Sequence, residues 1–122
     1  MLTEVRTYTI KRGMMESWLR HWREAMDHII ALGIRVEWAG FDPESMGTFI
    51  FIRSFRDEEE RRRLEEAFYE GEWWRSVSDE VMSHVLNWES RLFDTAAVRG
   101  PDGELADALQ PGTVDRLFPP KI

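Results

Sequence analysis

The first strand-like segment of the chain carries three side chains that could hold a polar oxygen. Residues 2–10 are rich in β-branched and aromatic types, and alternation along a strand places Glu4, Arg6 and Tyr8 on one face. Arginine and tyrosine both donate hydrogen bonds, so Arg6 and Tyr8 could orient or polarise the oxygen of an anionic or phenolic molecule. The alternative is that Glu4 and Arg6 form a structural ion pair, and both interpretations stay open.

The order of the predicted elements shows how such strands could be assembled. Apolar residues repeat at spacings of three and four over 14–32, which predicts a helix that ends before Gly33. The remaining segments predict strands at 34–41, 46–55 and 84–95, and helical stretches at 57–70, where Asp57 begins the helix, and at 73–82.

This order, β-α-β-β-α-β, is typical of the ferredoxin-like α+β sandwich. Its single antiparallel sheet would have the strand order 4-1-3-2, with the helices on one face. The predicted domain spans residues 1–95. Residues 96–122 are rich in proline and glycine, which predicts an irregular C-terminal tail, with short turns at 104–109 and 114–117.

Alternation in all four strands predicts two very different faces of the sheet. The mostly apolar one is expected to pack under the helices. It comprises Val5, Thr7, Ile34, Val36, Trp38, Ile50, Ile52, Leu86, Trp88 and Leu92. The other, expected to be open, comprises Glu4, Arg6, Tyr8, Arg35, Glu37, Phe49, Phe51, Arg53, Phe55, Asn87, Glu89, Arg91 and Phe93.

An open face with several phenylalanines would be a large apolar patch on a monomer, and such patches mark interfaces or ligand sites. We therefore expect a homodimer in which two such faces enclose a barrel-like space, with a small molecule as a further partner. The alternative is that residues 96–122 fold back over this face.

The candidate site in that space follows from the chemistry of its side chains. Arg6 and Tyr8 would hold a substrate oxygen, and His84 or Glu89 would move a proton. The candidate catalytic residues are Tyr8, Arg6, His84 and Glu89, and the candidate substrate-binding residues are Glu4, Phe49, Phe51, Arg53, Arg91, Trp22 and Trp73. A structural lattice of Glu4, Arg6, Glu89 and Arg91 is the alternative.

The tryptophans allow a second location for a cavity. Trp18, Trp22, Trp73 and Trp74 stand at helical spacing, which is typical of core residues, but they could also line a cavity between the helices and the sheet.

Three short motifs resemble the NIPSNAP family. They are Glu4-Val5-Arg6-Thr7-Tyr8 with Gly13, Ala67-Phe68-Tyr69 followed by Glu72-Trp73, and Glu89-Ser90-Arg91-Leu92. The resemblance covers residues 1–95, although Arg12 and Gly71 replace two prolines of the family pattern. It implies a dimeric α/β-barrel. The wider superfamily includes cofactor-free monooxygenases of phenols and quinols, decarboxylases, cyclases, haem-binding enzymes and non-catalytic binders.

Composition removes several other functions. The chain of 122 residues has 16 Lys and Arg against 23 Asp and Glu, a net charge of −7, and no cysteine. We therefore expect no nucleic-acid partner, no thiolate metal site and no disulfide. His21, Glu24 and His28 share a helix flank without an evident fourth ligand, so no metal site is predicted. The sequence also predicts no membrane span, no cofactor and a cytoplasmic location.

Two functions remain open. One is an enzyme that acts on a phenol, quinol or β-keto compound, such as a cofactor-independent monooxygenase. The other is a non-catalytic homodimeric binding or assembly module, in which the charged sheet face is purely structural.

Overall fold

A computed structural model describes residues 1–99, 102 and 105–107 of the chain. Its elements up to the fourth strand follow the predicted order, with separate helices at the stretches predicted at 57–70 and 73–82. They are β1 (Leu2–Ile10), α1 (Met15–Ala31), β2 (Arg35–Phe41), β3 (Thr48–Phe55), α2 (Glu58–Tyr69), α3 (Glu72–Met82), β4 (Val85–Asp94), β5 (Ala97–Arg99) and β6 (Leu105–Asp107).

The main sheet has four antiparallel strands in the order β2-β3-β1-β4, which confirms the predicted α+β ferredoxin-like sandwich. Pairing fixes which side chains share a face, because residues directly opposite each other point the same way. Tyr8 pairs with Phe49 on one side and Trp88 on the other. Val5 pairs with Ile52 and Arg91 on the opposite face.

Helix α1 is held against the sheet by its apolar stripe, whose buried members are Met15, Trp18, Ala25 and Ile29. It ends as predicted, because Gly33 takes a φ of 92°, a conformation that glycine adopts without strain. Helix α2 starts at Asp57, whose carboxylate accepts a hydrogen bond from the Glu60 backbone at 2.8 Å. Gly33 and Asp57 are therefore local signals that the sequence alone provides for these helix ends.

The β1 and β3 residues predicted to be on the open face in fact pack under the helices. Tyr8 contacts Trp18 of α1, with ring centroids 5.0 Å apart, and Arg53 contacts Glu65 of α2. The strand side chains of this helix-covered face include Glu4, Arg6, Tyr8, Phe49, Phe51, Arg53 and Phe55, all buried. The prediction failed because alternation groups residues into faces but does not say which face the helices cover.

The opposite face carries no helix and is called the open face below. Val5, Thr7, Trp38, Ile50 and Ile52 were predicted to be covered but lie here, whereas Val36, Trp88 and Leu92 are on the helix-covered face as predicted. The open face also carries Arg35, Ser54, Asn87, Glu89, Arg91 and Phe93. Trp38 and Phe93 are 52% and 47% exposed. A register shift in β2 between Val36 and Trp38 places these two residues on different faces, contrary to the prediction.

The region predicted to be an irregular tail contains a small two-stranded antiparallel sheet of β5 and β6. Part of the turn predicted at 104–109, and all of that at 114–117, lies outside the described residues. Among the helices that the structure describes, none has the length and apolar character needed to cross a membrane.

Candidate functional site

A buried cluster of charges lies between the sheet and α2. Arg53 on β3 has no exposed surface and donates from Nε to Glu4 Oε1 at 2.6 Å and from Nη2 to Glu65 Oε1 at 2.8 Å. Glu4, only 1% exposed, also accepts a hydrogen bond from Ser90 at 2.6 Å. Arg53 therefore binds two carboxylates from different elements, and it ties α2 to the centre of the sheet.

The two carboxyl groups respond to this arrangement in opposite directions. Burial raises the pKa of Glu4, but the hydrogen bond with Glu65 and the charges of Arg53 and Arg6 lower it to about 2. Burial and the hydrogen bond with Glu4 raise the pKa of Glu65 above its usual value. Glu4 is thus the carboxylate that stays ionised, and Glu65 is the group that takes up a proton first.

Arg6 lies beside this charged cluster, and its guanidinium makes few hydrogen bonds. Its guanidinium lies 4.9 Å from the ring centre of Trp88 and 5.1 Å from that of Tyr69. Its Nη1 donates a long hydrogen bond of 3.3 Å to the Tyr8 hydroxyl, and its buried Nε donates none, although Glu4 Oε1 is 3.3 Å away. Burial raises the pKa of Tyr8, so this tyrosine is a neutral phenol rather than a base.

Arg6 and Tyr8 face a cavity of about 240 Å³ between the helices and the sheet. The sheet contributes Phe51 and Trp88 to its wall, and the helices contribute mainly aromatic and aliphatic side chains. The helix residues lining it are Trp18, His21, Trp22, Ala25, Ile29, Phe68, Tyr69, Trp74, Val81 and Met82. Trp88 on β4 is the most exposed of the lining residues, at 45%.

Unpaired hydrogen-bond donors are concentrated at this cavity. Among the described residues, four buried side-chain nitrogens have no hydrogen-bond partner, and three of them belong to lining residues: Arg6 Nε, Trp18 Nε1 and Trp22 Nε1. The fourth is Arg53 Nη1. An unpaired buried donor costs about 1–3 kcal/mol, so an acceptor within reach of these nitrogens would stabilise the domain.

The predicted site residues therefore fall into separate places. Arg6, Tyr8, Phe51 and Trp22 line the cavity. Glu4 and Arg53 stand behind it in the charged cluster, and Phe49 packs against the rings of Trp18 and Trp22.

Three predicted residues lie away from the cavity. Glu89 and Arg91 project from the open face, opposite Thr7 and Val5, so the predicted pairing of both with Glu4 and Arg6 is wrong. Alternation within each strand does not fix the register between strands, and a register that differs by one residue puts a side chain on the other face. Trp73 does not line the cavity but stacks on His28, with ring centroids 3.9 Å apart.

His84 is buried beside the site rather than at its mouth. Its Nε2 is 2.8 Å from the Ser17 hydroxyl, and its Nδ1 is 3.0 Å from the Glu80 carbonyl oxygen. It does not line the cavity, although its ring contacts that of His21, which does. Its contacts join the end of α3 to α1, which is a structural role.

Sequence reasoning missed Glu65, Tyr69 and Trp88 as members of the site. A signal existed for two of them, because Glu65 and Tyr69 are four residues apart and share one face of α2. Arg61, four residues before Glu65, completes that row and donates to it at 2.8 Å. Trp88 was placed with the covered residues, but its position opposite Tyr8 follows only from the observed register.

The fold and this cavity define a ferredoxin-like α+β domain with a ring-lined chamber between its sheet and helices. A sequence model of the NIPSNAP family matches residues 3–98. The chain belongs to the NIPSNAP family, as the three motifs indicated. No curated protein matches the chain.

Solved structures with the same fold include both uncharacterised proteins and oxygenases. An uncharacterised NIPSNAP domain protein from Burkholderia xenovorans is 21% identical, covers 79% of this chain and 95% of its own, and has a TM-score of 0.69. An antibiotic biosynthesis monooxygenase is 18% identical, and the match covers 78% of this chain and 98% of that protein, with a TM-score of 0.63. SnoaB from Streptomyces nogalater, a cofactor-independent oxygenase, is 13% identical. The match covers 77% of this chain and 91% of SnoaB, with a TM-score of 0.62.

Proposed function

We propose that the cavity between the helices and the sheet binds a small apolar ring compound that presents at least one acceptor oxygen to Arg6. The observation that carries this proposal is the concentration of unpaired donors, Arg6 Nε, Trp18 Nε1 and Trp22 Nε1, in side chains that line one apolar chamber. An aromatic phenol, quinol or β-keto compound has this combination of ring and oxygen.

The size and chemistry of the chamber support the same class. An apolar cavity of about 150 Å³ binds benzene, so a volume of about 240 Å³ suits one or two fused rings. Trp74 and Phe68 contribute aromatic side chains from the helices, and Tyr8 and Trp88 contribute them from the sheet. The site is therefore moved from the space between two sheets, where the sequence had placed it, to the interior of one chain.

Binding of 2-naphthol, followed by tryptophan fluorescence and by calorimetry, tests the proposal. We expect one site per chain in the wild type and no binding to Ala25→Phe, which fills the cavity from α1. Ala67→Phe adds the same bulk at an exposed position of α2 and should bind like the wild type. Equal binding by Ala25→Phe, with the variant folded by circular dichroism, would show that the cavity is not the site.

A second candidate is cofactor-independent oxygenation in this cavity, favoured by the common fold with the monooxygenase and SnoaB. A naphthalene quinol and O₂ would give a hydroxynaphthoquinone and water, with one oxygen atom entering the ring. Oxygen consumption without added cofactor should exceed the rate with Ala25→Phe. Rates equal to that variant and to buffer would leave a binding protein without this activity.

We also propose that two copies of the chain associate through their open faces. Trp38 and Phe93 are about half exposed there, beside the partly buried Val5, Ile50 and Ile52, and such a patch is uncommon on a monomer. Sedimentation equilibrium should show a dimer that Trp38→Arg dissociates. Ile30→Arg, at an exposed apolar position on α1, should leave it intact. A monomeric wild type would overturn this assembly.

A further inference from the structure

The unpaired polar groups around the cavity are all hydrogen-bond donors, and one of them is charged. Each unpaired nitrogen there is a donor, and Arg6 is 7% exposed and carries a positive charge. A buried guanidinium gains most from an acceptor that is itself charged. The unpaired donors could hydrogen-bond to the oxygen of a neutral ketone. The positive charge on Arg6, however, favours a carboxylate, an enolate or a phenolate.

The charge balance of the cluster determines what happens when an anion arrives. Arg6 and Arg53 carry two positive charges, and Glu4 and Glu65 carry two negative charges when both are ionised. Arg61, which also binds Glu65, is balanced by Glu58 at 2.6 Å. An added anion would leave one uncompensated negative charge in a buried place, and such a charge is costly.

Glu65 is the member placed to remove that excess. It lies 3.9 Å from Arg6 through Nη2, so it competes with any anion for the same guanidinium. The titratable and charged groups that face it are Glu4 and Arg6 on β1, Arg53 on β3, and Arg61 and Tyr69 on α2. A proton on Glu65 would free Arg6 without breaking the ion pair of Glu4 with Arg53.

From this arrangement we infer that the cavity selects a ring compound in its anionic form, held on Arg6, and that Glu65 carries a proton while the anion is bound. The inference names the ligand class of the site proposed above and rests on that proposal. Deprotonation of Glu65 restores its hold on Arg6 and releases the anion. The direction in which burial and Glu4 move the pKa of Glu65, upward, agrees with this role.

Two near-isosteric probes separate this inference from the proposed function. 2-Naphthoate is an anion throughout the range of pH 5.5 to 8.5, and 2-acetylnaphthalene is a neutral ketone of similar shape. We expect the wild type to bind 2-naphthoate about tenfold or more tightly than the ketone, because hydrogen bonds to charged groups are the stronger ones. If neither compound binds, the proposed function fails. If both bind equally, the site stands and its selectivity for anions is refuted.

Arg6→Gln should remove the preference for 2-naphthoate and leave the ketone bound. The matched control is Arg91→Gln, which removes an exposed arginine from the open face and should change neither affinity. Should Arg6→Gln fail to fold, the comparison of the two probes on the wild type still decides the selectivity.

Glu65→Gln tests the proton. Glutamine imitates the protonated carboxyl, so this variant should bind 2-naphthoate at least as tightly as the wild type, with an affinity that no longer falls as the pH rises. Calorimetry in two buffers of different ionisation enthalpy should show proton uptake by the wild type and by the control Glu66→Gln, and none by Glu65→Gln. Uptake that persists in Glu65→Gln, or weaker binding of the anion by the folded variant, would refute the role of Glu65.

Discussion

The two faces of the sheet divide the side chains of this domain in an unusual way. The helix-covered face holds Arg53 and Glu4 at its centre, both buried, whereas the open face leaves Trp38 and Phe93 about half exposed among threonine and charged side chains. Charged side chains are rarely fully buried unless they are paired, as these two are. Arg53 finds its partners, Glu65 and Tyr69, on α2. The comparison shows that the partners available to a side chain can determine which face of the sheet it occupies as strongly as its polarity does.

The largest difference between the faces is expected for arginine removal. Arg53→Ala leaves the carboxylates of Glu4 and Glu65 without their strongest partner, which should cost about 3–5 kcal/mol of unfolding free energy. Arg91→Ala on the open face should cost less than about 0.5 kcal/mol. Urea unfolding measures both, and similar losses for the two variants would contradict the assignment of Arg53 as the centre of the cluster.

A second difference between the two faces should appear in how stability changes at acidic pH. Because the folded pKa of Glu4 is about 2, its contribution to stability is present above its ordinary value of 4.5 and is lost as the pH falls toward 2. That contribution is about 3 kcal/mol at most. Glu65, whose pKa is raised, acts in the opposite direction: its contribution is present below pH 4.5 and is lost as the pH rises through its folded pKa.

Urea midpoints between pH 2 and 5 check the sign of the net effect. The wild type should lose stability on acidification, and Glu4→Gln should lose less of it. Glu89→Gln, on the open face, should follow the wild type. A slope that is the same in Glu4→Gln would mean that Glu4 is not the group responsible.

The smallest expected difference concerns two neighbours on β1. Tyr8→Phe removes the hydroxyl that accepts from Arg6 Nη1, and it should cost about 0.5–1.5 kcal/mol. Thr7→Val, on the open face, keeps the shape of the side chain and should change the unfolding free energy by less than about 0.5 kcal/mol. Thermal unfolding is sensitive enough for both, and a larger loss in Thr7→Val would reverse the comparison.

The sequence was sufficient for the four strands of the main sheet, the helical stretches, their order and the family, but not for β5 and β6. Gly33, Asp57 and the apolar stripe of α1 are local signals, and they predict helix ends and the covered side of a helix without knowledge of the fold. The grouping of Glu4, Arg6 and Tyr8 was predicted for the same reason: alternation alone places them on one face, and the structure keeps them there.

The location of that site could not be derived, because it depends on contacts between distant segments. The side of the sheet that receives the helices, the β1–β4 register and the shift in β2 are all set by tertiary packing. Glu65 illustrates the point, since its row on α2 is visible in the sequence, but its distance to Arg53 is not. The tryptophans posed the same problem: Trp18, Trp22 and Trp74 line the cavity between helices and sheet, and they also pack in or against the core, as their helical spacing indicated.

The alternation of β4 also has an evolutionary consequence. Trp88 forms a wall of the cavity, and its neighbour Glu89 projects from the other side of the same strand. Deletion of a single codon early in β4 would act like several substitutions at once, because it would exchange the two sets of side chains. A carboxylate would then replace an indole beside Arg6. We expect that lineages of this protein accept point changes along β4 far more readily than changes in its length.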